Sequence, residues 1–389
     1  MSNAPECNLD FYSDTFIANP WPHYAEMRAL GPVVWMTRLG NFAFTQFAEV
    51  RAGLRDTESF QSGEGTAGDD FGCAFQRGNT VASDGARHKA LRSAIAPQLE
   101  RKSLEAIRPV IDASAATLIA GLKTGGTFNS AVDLAQHLPL TIVRDQVGLP
   151  DYGKDNMLRW AGAAFNVQGI QNARGEAAVE QIKEMRAFVA SDDISGSLKP
   201  GSWSGNMMEA CKRGEIDPDH MPFLLRDLIN PSLDTTISAI GQMVVELARN
   251  PDEWAALKAD PSLAKQAAME AVRLSTPIRS FSRRATRDVE MAGVVIPEGS
   301  RVMMLYASAN RDERMFDDPD RFILNREARQ HRGFGAGPHM CVGMHLALME
   351  LEAIATALAD QVDRIEVGSP IPALNNTICA FADIPTVLH

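Results

Sequence analysis

A glycine-rich loop near the C-terminal end constrains the fold of this chain more than any other feature. Residues 334–343 read Phe-Gly-Ala-Gly-Pro-His-Met-Cys-Val-Gly, and a strongly helical pattern follows from Met344 to Gln361. Glycines allow left-handed backbone conformations and let the backbone approach a flat ligand closely. Cys341 would lie just before a helix N-terminus, where the helix dipole and free amides favour the thiolate over the thiol. The pattern therefore predicts a ligand-binding loop.

A lone cysteine is more often a buried, inert side chain than a ligand, so a ligand role for Cys341 depends on the residues around it. They follow the order F-G-x-G-x-H-x-C-x-G: Phe334, Gly335, Gly337, His339, Cys341 and Gly343. This set resembles the cysteine-ligand loop of bacterial cytochromes P-450, and the resemblance runs from about Asn19 to the C-terminus. It implies a haem-thiolate monooxygenase with heme b (iron-protoporphyrin IX) as cofactor. Cys341 is then the axial metal ligand, whose electron donation weakens the O–O bond.

The same resemblance implies which residues hold the haem propionates. His88 and Arg92 are spaced four apart, so on a helix they share a face and can donate to one carboxylate. Arg283 and His339 match the other two usual propionate donors. Any one of the four, taken alone, would more often be a solvated surface residue, but as a set they fit two anionic groups.

A buried ion network is also implied. Glu270 and Arg273 are three apart on a helical pattern and can pair. In the family such a pair joins a downstream arginine, and Arg321 within Pro319-Asp320-Arg321-Phe322 stands at the expected place. Because buried ionic groups specify structure rather than add stability, we expect these residues to be structural.

The longest apolar-rich helical pattern covers residues 221–249 and includes Asn-Pro-Ser-Leu-Asp-Thr-Thr at 230–236. The resemblance implies that Asp234 and Thr235 are catalytic and supply protons for dioxygen activation. Without the cysteine loop, a threonine bonded back to a helix carbonyl would be the better interpretation. Pro231-Ser232 replaces the usual Ala-Gly, and the proline should kink the helix near the cofactor.

The nearest resemblance is to bacterial enzymes that O-demethylate or hydroxylate small para-substituted aromatic acids. It rests on the stretches 226–236, 307–312, 333–343 and 375–377. In those enzymes the positions of Arg77, Thr80, Arg226 and Asp227 surround the substrate carboxylate. Asp227 stands where a neutral hydroxyl is usual, and it would repel an anionic substrate unless an arginine neutralises it. A methoxyphenol is the rival to a methoxybenzoate, since Asp227 or Asn230 could bond its hydroxyl.

Phenylalanines are the candidate walls of the substrate pocket, because edge and offset stacking suit a flat ring. The candidates are Phe75 (or Phe71), Phe165, Phe281 and Phe381. For each one alone, ordinary core packing is about as good an interpretation.

Helical periodicity dominates from Asp84 to about residue 275, while strand-like runs occur at Val33–Thr37, Asn41–Gln46 and between Pro277 and Leu305. We expect a mainly α protein with a smaller antiparallel β portion, the cytochrome P-450 fold enclosing a haem. A length of 389 residues would by default suggest two or three domains. A large cofactor can supply one common core, so we expect a single domain over 1–389. Residues 61–82 read as a long, lid-like loop.

The net charge of −11 argues against general nucleic-acid binding. The chain has no apolar run of about eighteen residues, so no transmembrane helix and no membrane partner are expected. The first residues have neither a basic nor an apolar region typical of a signal peptide. Five widely spaced cysteines without a C-x-x-C pair favour neither a disulfide framework nor a zinc site. We expect a cytoplasmic protein.

No dinucleotide or flavin fingerprint is visible, so electrons from NAD(P)H must come through another protein. The expected partners are a ferredoxin and its reductase, or a single iron–sulfur flavoprotein reductase, besides O2 and a small aromatic substrate. A basic surface that suits an acidic partner is predicted from Arg87, His88, Lys89, Arg92, Arg101, Lys102, Arg329, His331 and Arg332.

Three alternatives remain open at this point. The first is a monooxygenase that hydroxylates a terpenoid or another apolar small molecule. The second is a peroxide-driven thiolate-haem enzyme, against which Asp234-Thr235 argues. The third is a non-catalytic haem sensor, against which the lid-like loop argues.

Overall fold

Helices form most of the ordered structure. The computed structural model describes residues 3–326 and 330–389. In this part of the chain the α-helices are α1 (Asp14–Ala18), α2 (Trp21–Leu30), α3 (Phe47–Arg55), α4 (Asp70–Ala74), α5 (Gly85–Leu99), α6 (Arg101–Leu104), α7 (Arg108–Lys123), α8 (Arg144–Val147), α9 (Asp151–Val167), α10 (Ala173–Val189), α11 (Ile194–Ser197), α12 (Trp203–Lys212), α13 (Met221–Ile229), α14 (Asp234–Arg249), α15 (Pro251–Ala259), α16 (Ala264–Ser275), α17 (Tyr306–Ala309) and α18 (Met344–Gln361). None of these described helices has the length and apolarity needed to span a bilayer.

The β structure is small and mostly antiparallel. The strands are β1 (Glu6–Cys7), β2 (Val33–Met36), β3 (Asn41–Phe44), β4 (Phe60–Gln61), β5 (Phe128–Asn129), β6 (Phe281–Ala285), β7 (Val289–Met291), β8 (Val294–Ile296), β9 (Arg301–Met304), β10 (Ile365–Val367), β11 (Ile371–Pro372), β12 (Phe381–Asp383) and β13 (Pro385–Leu388). The largest sheet has the order β1-β2-β3-β9-β6-β4. Its pairs β1–β2 and β3–β9 are parallel, and the other three are antiparallel. The predicted fold class is therefore confirmed.

The helix after the cysteine loop lies in the core. α18 begins at Met344 and ends at Gln361, as predicted, and packs against α7, α14 and α16. Leu351, Ile354 and Leu358 in this helix are fully buried. Burying each such side chain contributes about 1.5–3 kcal/mol. A helix packed on several sides gives the loop before it a rigid base.

The segment 221–249 is not the single helix that the sequence predicts. α13 ends at Ile229 and α14 begins at Asp234, so four residues interrupt the helical rise. Pro231 has no N–H for the helical ladder, and its ring clashes with the carbonyl four residues before. The Ser232 hydroxyl donates to the Leu228 carbonyl instead. The expected kink is therefore a full break, and the prediction of one continuous helix is wrong.

A buried ion network joins α16 to the loop after α17. Glu270 and Arg273 are both 0% exposed and pair at 2.7 Å, as predicted. The third member is Arg326, whose Nε lies 2.9 Å from Glu270 Oε1. Arg321 offers only its carbonyl to Arg273, and its side chain is 68% exposed. The assignment of Arg321 is therefore wrong, because an irregular loop has no periodicity that tells which arginine points inward.

The segment predicted as a long loop contains two short helical elements. The stretch 61–82 contains α4 and a 3₁₀ turn at Thr80–Ala82. A buried hydrogen bond within this stretch fixes the path of its backbone, since the Thr66 amide donates to Gln76 Oε1 at 2.7 Å.

Candidate active site

One large cavity lies between the cysteine loop and the break in the 221–249 segment. Its empty volume is about 1800 Å³, including the part that opens to solvent. Nine of the residues predicted as cofactor-binding, catalytic or substrate-binding line this cavity: Phe75, Phe165, Asp227, Asn230, Thr235, Phe281, Arg283, His339 and Cys341. The fold thus brings together side chains that are up to 266 positions apart in the chain (Phe75 to Cys341).

The cysteine loop presents its thiol to the cavity. The Cys341 amide donates to the Phe334 carbonyl at 2.9 Å, which closes the loop, and the side chain of Cys341 is exposed to the cavity. Gly337 has φ +69°, and a Cβ at this position would lie 2.5 Å from the Leu54 carbonyl oxygen. Only glycine fits there. The loop is therefore held close to α3 with its sulfur facing inward.

Opposing effects act on the Cys341 thiol. Burial raises its pKa, while the backbone amides of Gly343 and Met344 and the charge of Arg92 lower it. Arg92 is fixed nearby, since its Nη2 donates to the Met340 carbonyl at 2.6 Å. A coordinating thiol is deprotonated by the cation it binds. A metal ion bound to the sulfur would therefore stabilise the thiolate, which burial alone disfavours.

Four nitrogen-bearing side chains gather at one edge of this loop: His88, Arg92, Arg283 and His339. The rings of His88 and His339 are 4.1 Å apart, and His88 Nε2 is buried with no hydrogen-bond partner among the described residues. Burial, His339 and Arg92 lower the pKa of His88 to about 4. Burial is the main effect that lowers the pKa of His339, while the nearby Asp84 acts in the opposite direction.

One carboxylate, Asp84, faces this cluster, with Oδ1 3.9 Å from His339 Nε2. The two guanidinium groups, Arg92 and Arg283, and the unpartnered His88 Nε2 suit an anionic ligand better than they suit one another. The two propionates of a haem carry that charge. The thiol, the glycine-lined approach and the cation cluster together fit a haem.

At the opposite wall, the helix break positions a hydroxyl. The Thr235 hydroxyl donates to the Pro231 carbonyl at 3.0 Å, so it is anchored inside the break while it lines the cavity. Asp234 precedes it in the first turn of α14 but does not line the cavity. The Asp234 carboxylate lies beside α9 instead, since a Cβ atom added to Gly162 would be 3.6 Å from Asp234 Oδ2. Burial raises the pKa of Asp234 to about 7.

The pocket has a polar end at α13. Asp227 lines the cavity, and its Oδ2 accepts hydrogen bonds from the Thr80 amide at 2.9 Å and the Thr80 hydroxyl at 2.6 Å. Burial raises the pKa of Asp227 to about 6, against the lowering effect of Thr80 and Arg226. Asn230 lies one helical turn further on and also lines the cavity.

Three predicted substrate contacts lie elsewhere. Arg77 is exposed and lines a separate depression on the outer surface. Thr80 does not line the cavity but holds Asp227 from behind. Phe381 of β12 packs on a small core of Ala131, Val245 and Ile384. Their assignment to the pocket wall is wrong, because neighbouring residues in a turn or strand point in different directions.

Other residues take those places. Gln76, Asn79 and Gln168 line the cavity and were not predicted. Gln168 Nε2 donates weakly to the Thr66 hydroxyl at 3.4 Å, and the same hydroxyl donates to Gln76 Oε1 at 3.2 Å. Two of them, Gln76 and Asn79, are polar residues close to Arg77 in the sequence, and this was the one feature that could have predicted them. Tertiary contacts decide which side chains of this turn point into the cavity, and the sequence pattern does not show them.

The basic surface predicted for a redox partner forms only in part. Arg87, Lys89, Arg101 and Lys102 are exposed on and after α5. His88 and His331 are only 8% and 4% exposed, so their assignment to that surface is wrong. Arg329 lies outside the described residues.

Comparisons with known proteins agree with this geometry. A family model described as cytochrome P-450 matches residues 260–360, which contain the ion pair of α16 and the cysteine loop. Over 392 residues the chain is 36% identical to Cytochrome p450 CYP199A2 of Rhodopseudomonas palustris, with 100% of this chain and 95% of that protein covered. The chain belongs to the cytochrome P-450 family.

The chain is also similar to a hydroxylase and to a solved cytochrome P-450 structure. A beta-dihydromenaquinone-9 omega-hydroxylase of Mycobacterium tuberculosis is 28% identical over 371 residues, covering 93% of this chain and 74% of that protein. The structure of Mycobacterium marinum cytochrome P-450 CYP268A2 in complex with pseudoionone superposes with a TM-score of 0.85 at 26% identity, covering 98% and 99% of the two chains. This cytochrome P-450 is therefore an oxidoreductase and a monooxygenase, and its cofactor is heme b.

The residues present define what the protein contributes to the reaction. Bound haem supplies the one-electron and dioxygen chemistry. Cys341 would ligate its iron, and His88, Arg92, Arg283 and His339 would hold its carboxylates. Burial raises the pKa of Asp234 to about 7, so this carboxyl can hold or release a proton near neutral pH, and the adjacent Thr235 hydroxyl faces the cavity.

Proposed function

We propose that this cytochrome P-450 inserts one oxygen atom from O2 into the O-methyl group of a small aromatic ether of the methoxyphenol type. Hydroxylation of the methoxy carbon gives a hemiacetal, which collapses to a phenol and formaldehyde. Two electrons from NAD(P)H and two protons reduce the second oxygen atom to water. The reaction leaves the ring intact, so the cofactor need reach only one methyl group.

The walls of the cavity support a flat, apolar substrate body. Phe75 and Phe165 line one part of it, and Phe281 with the adjacent Tyr306 lines another. The rings of Phe281 and Tyr306 meet edge to face at 5.9 Å. Aromatic walls of this kind stabilise an aromatic ligand beyond simple burial of its area.

The charge at the polar end of the cavity carries the proposal. Asp227 is a carboxylate there, and the cation among the described lining residues, Arg283, belongs to the cluster beside the cysteine loop. Arg226 is turned away, since its Nη2 donates to the Phe75 carbonyl at 3.0 Å. A methoxybenzoate would place a second anion against Asp227, whereas a phenol hydroxyl can donate to it.

The electrons come from a separate protein, in the same proposal. An exposed basic group on α5 and α6, with Lys89, Arg101 and Lys102, suits an acidic ferredoxin or the iron–sulfur domain of a flavoprotein reductase. Steady-state NAD(P)H oxidation with such a partner, compared with turnover on peroxide alone, distinguishes this monooxygenase from a peroxide-driven enzyme.

Substrate binding tests the choice between phenol and acid. We would measure dissociation constants of 4-methoxyphenol and 4-methoxybenzoate from the spin-state change of the haem, on wild type and on Asp227→Asn. Wild type should prefer the phenol by about tenfold or more, as expected for a hydrogen bond to a charged group. Asp227→Asn should reduce that preference. Tighter binding of the benzoate to wild type, or binding of only a bulky terpenoid, would refute the proposal.

A further inference from the structure

An apolar extension of the large cavity lies between four helices. We call it the apolar annex and define it by five residues that line the cavity: Leu99, Ile182, Met185, Trp203 and Leu228. They come from the end of α5, the second half of α10, the start of α12 and the last turn of α13. The helix α13 contacts the other three helices, so the fold gathers these side chains at one place.

The walls of the apolar annex offer water little to bind. None of the five residues is charged, none is more than 6% exposed, and all five belong to one apolar cluster of the core. A buried water molecule needs several polar partners, whereas cavities with apolar walls stay empty and take up xenon or benzene. The annex therefore suits a small apolar molecule rather than water.

The polar part of the cavity lies along a different edge of α13. Each residue of an α-helix turns the chain by about 100°, so Leu228 and Asn230 point in nearly opposite directions, with Asp227 between them. All three residues line the cavity. The apolar annex is therefore at the edge of the cavity away from Asn230, and a molecule bound in it lies beside the polar anchor rather than on it.

Hydrogen bonds outside the annex hold two of its walls in place. The Ser204 hydroxyl, next to Trp203 in the first turn of α12, donates to the Val147 carbonyl of α8 at 2.5 Å. At the other wall, the Ser232 hydroxyl donates to the Leu228 carbonyl across the helix break. Moving α12 towards α13 to close the annex would break the first of these bonds, so the space between the two helices persists.

The annex is next to the helix break that positions Thr235. Leu228, Pro231 and Thr235 all line the cavity, and the Thr235 hydroxyl donates to the Pro231 carbonyl at 3.0 Å. O2, a reactant of this monooxygenase, is a small apolar molecule, and transfer of such a molecule from water to an apolar environment is favourable. We propose that the apolar annex is a binding site for O2 on its way to the cofactor. The proposal rests on the monooxygenase activity and not on the choice of a methoxyphenol as substrate.

Xenon, an apolar probe atom, tests whether the annex takes up an apolar gas. Crystals of the holoenzyme under xenon pressure should show xenon between Trp203 and Leu228 in wild type, and Leu228→Phe, which fills the annex, should lose it. Leu224→Phe is the matched control, because Leu224 lies one turn earlier in α13, is fully buried and does not line the cavity. This variant should keep the xenon. Ordered water in the annex of wild type, or no xenon there, would overturn the proposal.

A second pair of variants removes side-chain atoms and serves if a phenylalanine variant fails to fold. Met185→Ala widens the annex and should raise its xenon occupancy. Met207→Ala, at an equally buried methionine of α12 that does not line the cavity, should leave the occupancy of the annex unchanged. Equal occupancy of the annex in the two variants would contradict the proposal.

Stopped-flow mixing of the reduced, substrate-free holoenzyme with O2 tests the role of the annex. Leu228→Phe should lower the O2 association rate constant by about threefold or more, which corresponds to about 0.7 kcal/mol of added barrier. Leu224→Phe should associate with O2 like wild type. An unchanged rate constant in Leu228→Phe would overturn the proposal. If that variant instead bound 4-methoxyphenol more weakly, the annex would belong to the substrate site. None of the expected results depends on the identity of the substrate.

Discussion

Thr80 and Asp227 are joined by two hydrogen bonds to one oxygen atom. The Thr80 amide and hydroxyl donate to Asp227 Oδ2 at 2.9 and 2.6 Å. They fix the carboxylate at the cavity wall and attach the turn after α4 to α13. Thr80 is therefore a positioning residue rather than the expected substrate contact, and in the proposed function Asp227 is the polar anchor.

Binding of a methoxyphenol should depend on pH through Asp227. Burial raises the pKa of its carboxyl to about 6, and the ionised form is the better acceptor for a phenol hydroxyl. As the pH falls through about 6 the carboxylate takes up a proton, so the dissociation constant should rise by up to about tenfold per pH unit. Above pH 7 it should be constant. The measurement is the spin-state titration between pH 5 and 8.

Asp227→Asn is the control for that profile. It keeps the size of the side chain but cannot titrate, so its dissociation constant should be nearly flat over the same range. A flat profile for wild type, or the same slope in both proteins, would show that Asp227 does not receive the substrate hydroxyl.

Loss of the Thr235 hydroxyl should uncouple reduction from product formation. Thr235→Ala should bind substrate almost normally and consume NAD(P)H, but release more of the reducing equivalents as hydrogen peroxide. Product formed per NAD(P)H should fall by about tenfold or more, as for other losses of acid–base groups. Thr235→Ser, which restores the hydroxyl, should recover much of the coupling. Unchanged coupling in Thr235→Ala would mean that protons arrive by another route.

The buried network around Glu270 predicts an asymmetry between two nearby arginines. Arg326→Ala removes a partner that lies 2.9 Å from Glu270 Oε1 and is 9% exposed. Glu270 keeps its pair with Arg273 in this variant, so the loss is one buried charge-assisted hydrogen bond, about 1.5–3 kcal/mol of unfolding free energy. Arg321→Ala removes a side chain that is 68% exposed and should cost about 0–1 kcal/mol. Denaturant unfolding of the two holoproteins compares them, and equal losses would contradict the assignment of Arg326.

Local sequence patterns predicted the features that depend on local geometry. The cysteine loop, α18 from Met344 to Gln361 and the β2–β3 hairpin are found where the glycines and the periodicity placed them. The nine cavity-lining candidates came from the family resemblance, which transfers positions rather than derives contacts. The ligand and proton-transfer roles of these residues, a single domain over 1–389 and a cytoplasmic location stay predictions.

The failures share a physical cause. Arg77, Arg321 and Phe381 lie in turns, loops or a short strand, where the direction of a side chain depends on tertiary packing rather than on spacing. Gln76 and Asn79 flank Arg77 and point inward instead. In the 221–249 segment the apolar pattern continues across Pro231, but periodicity does not register the lost hydrogen bond that divides α13 from α14.

The absorption spectrum of the reduced carbon-monoxide complex tests the central claim of this account, that Cys341 ligates the haem iron as a thiolate. Wild type should show the strongly red-shifted Soret band of thiolate ligation. Cys341→Ala should lose this band, even if it retains some haem through the cluster around His88 and Arg283. Cys211→Ala, at a buried cysteine of α12, is the control and should keep it. A red-shifted band in Cys341→Ala, or its absence in wild type, would contradict the assignment of the site.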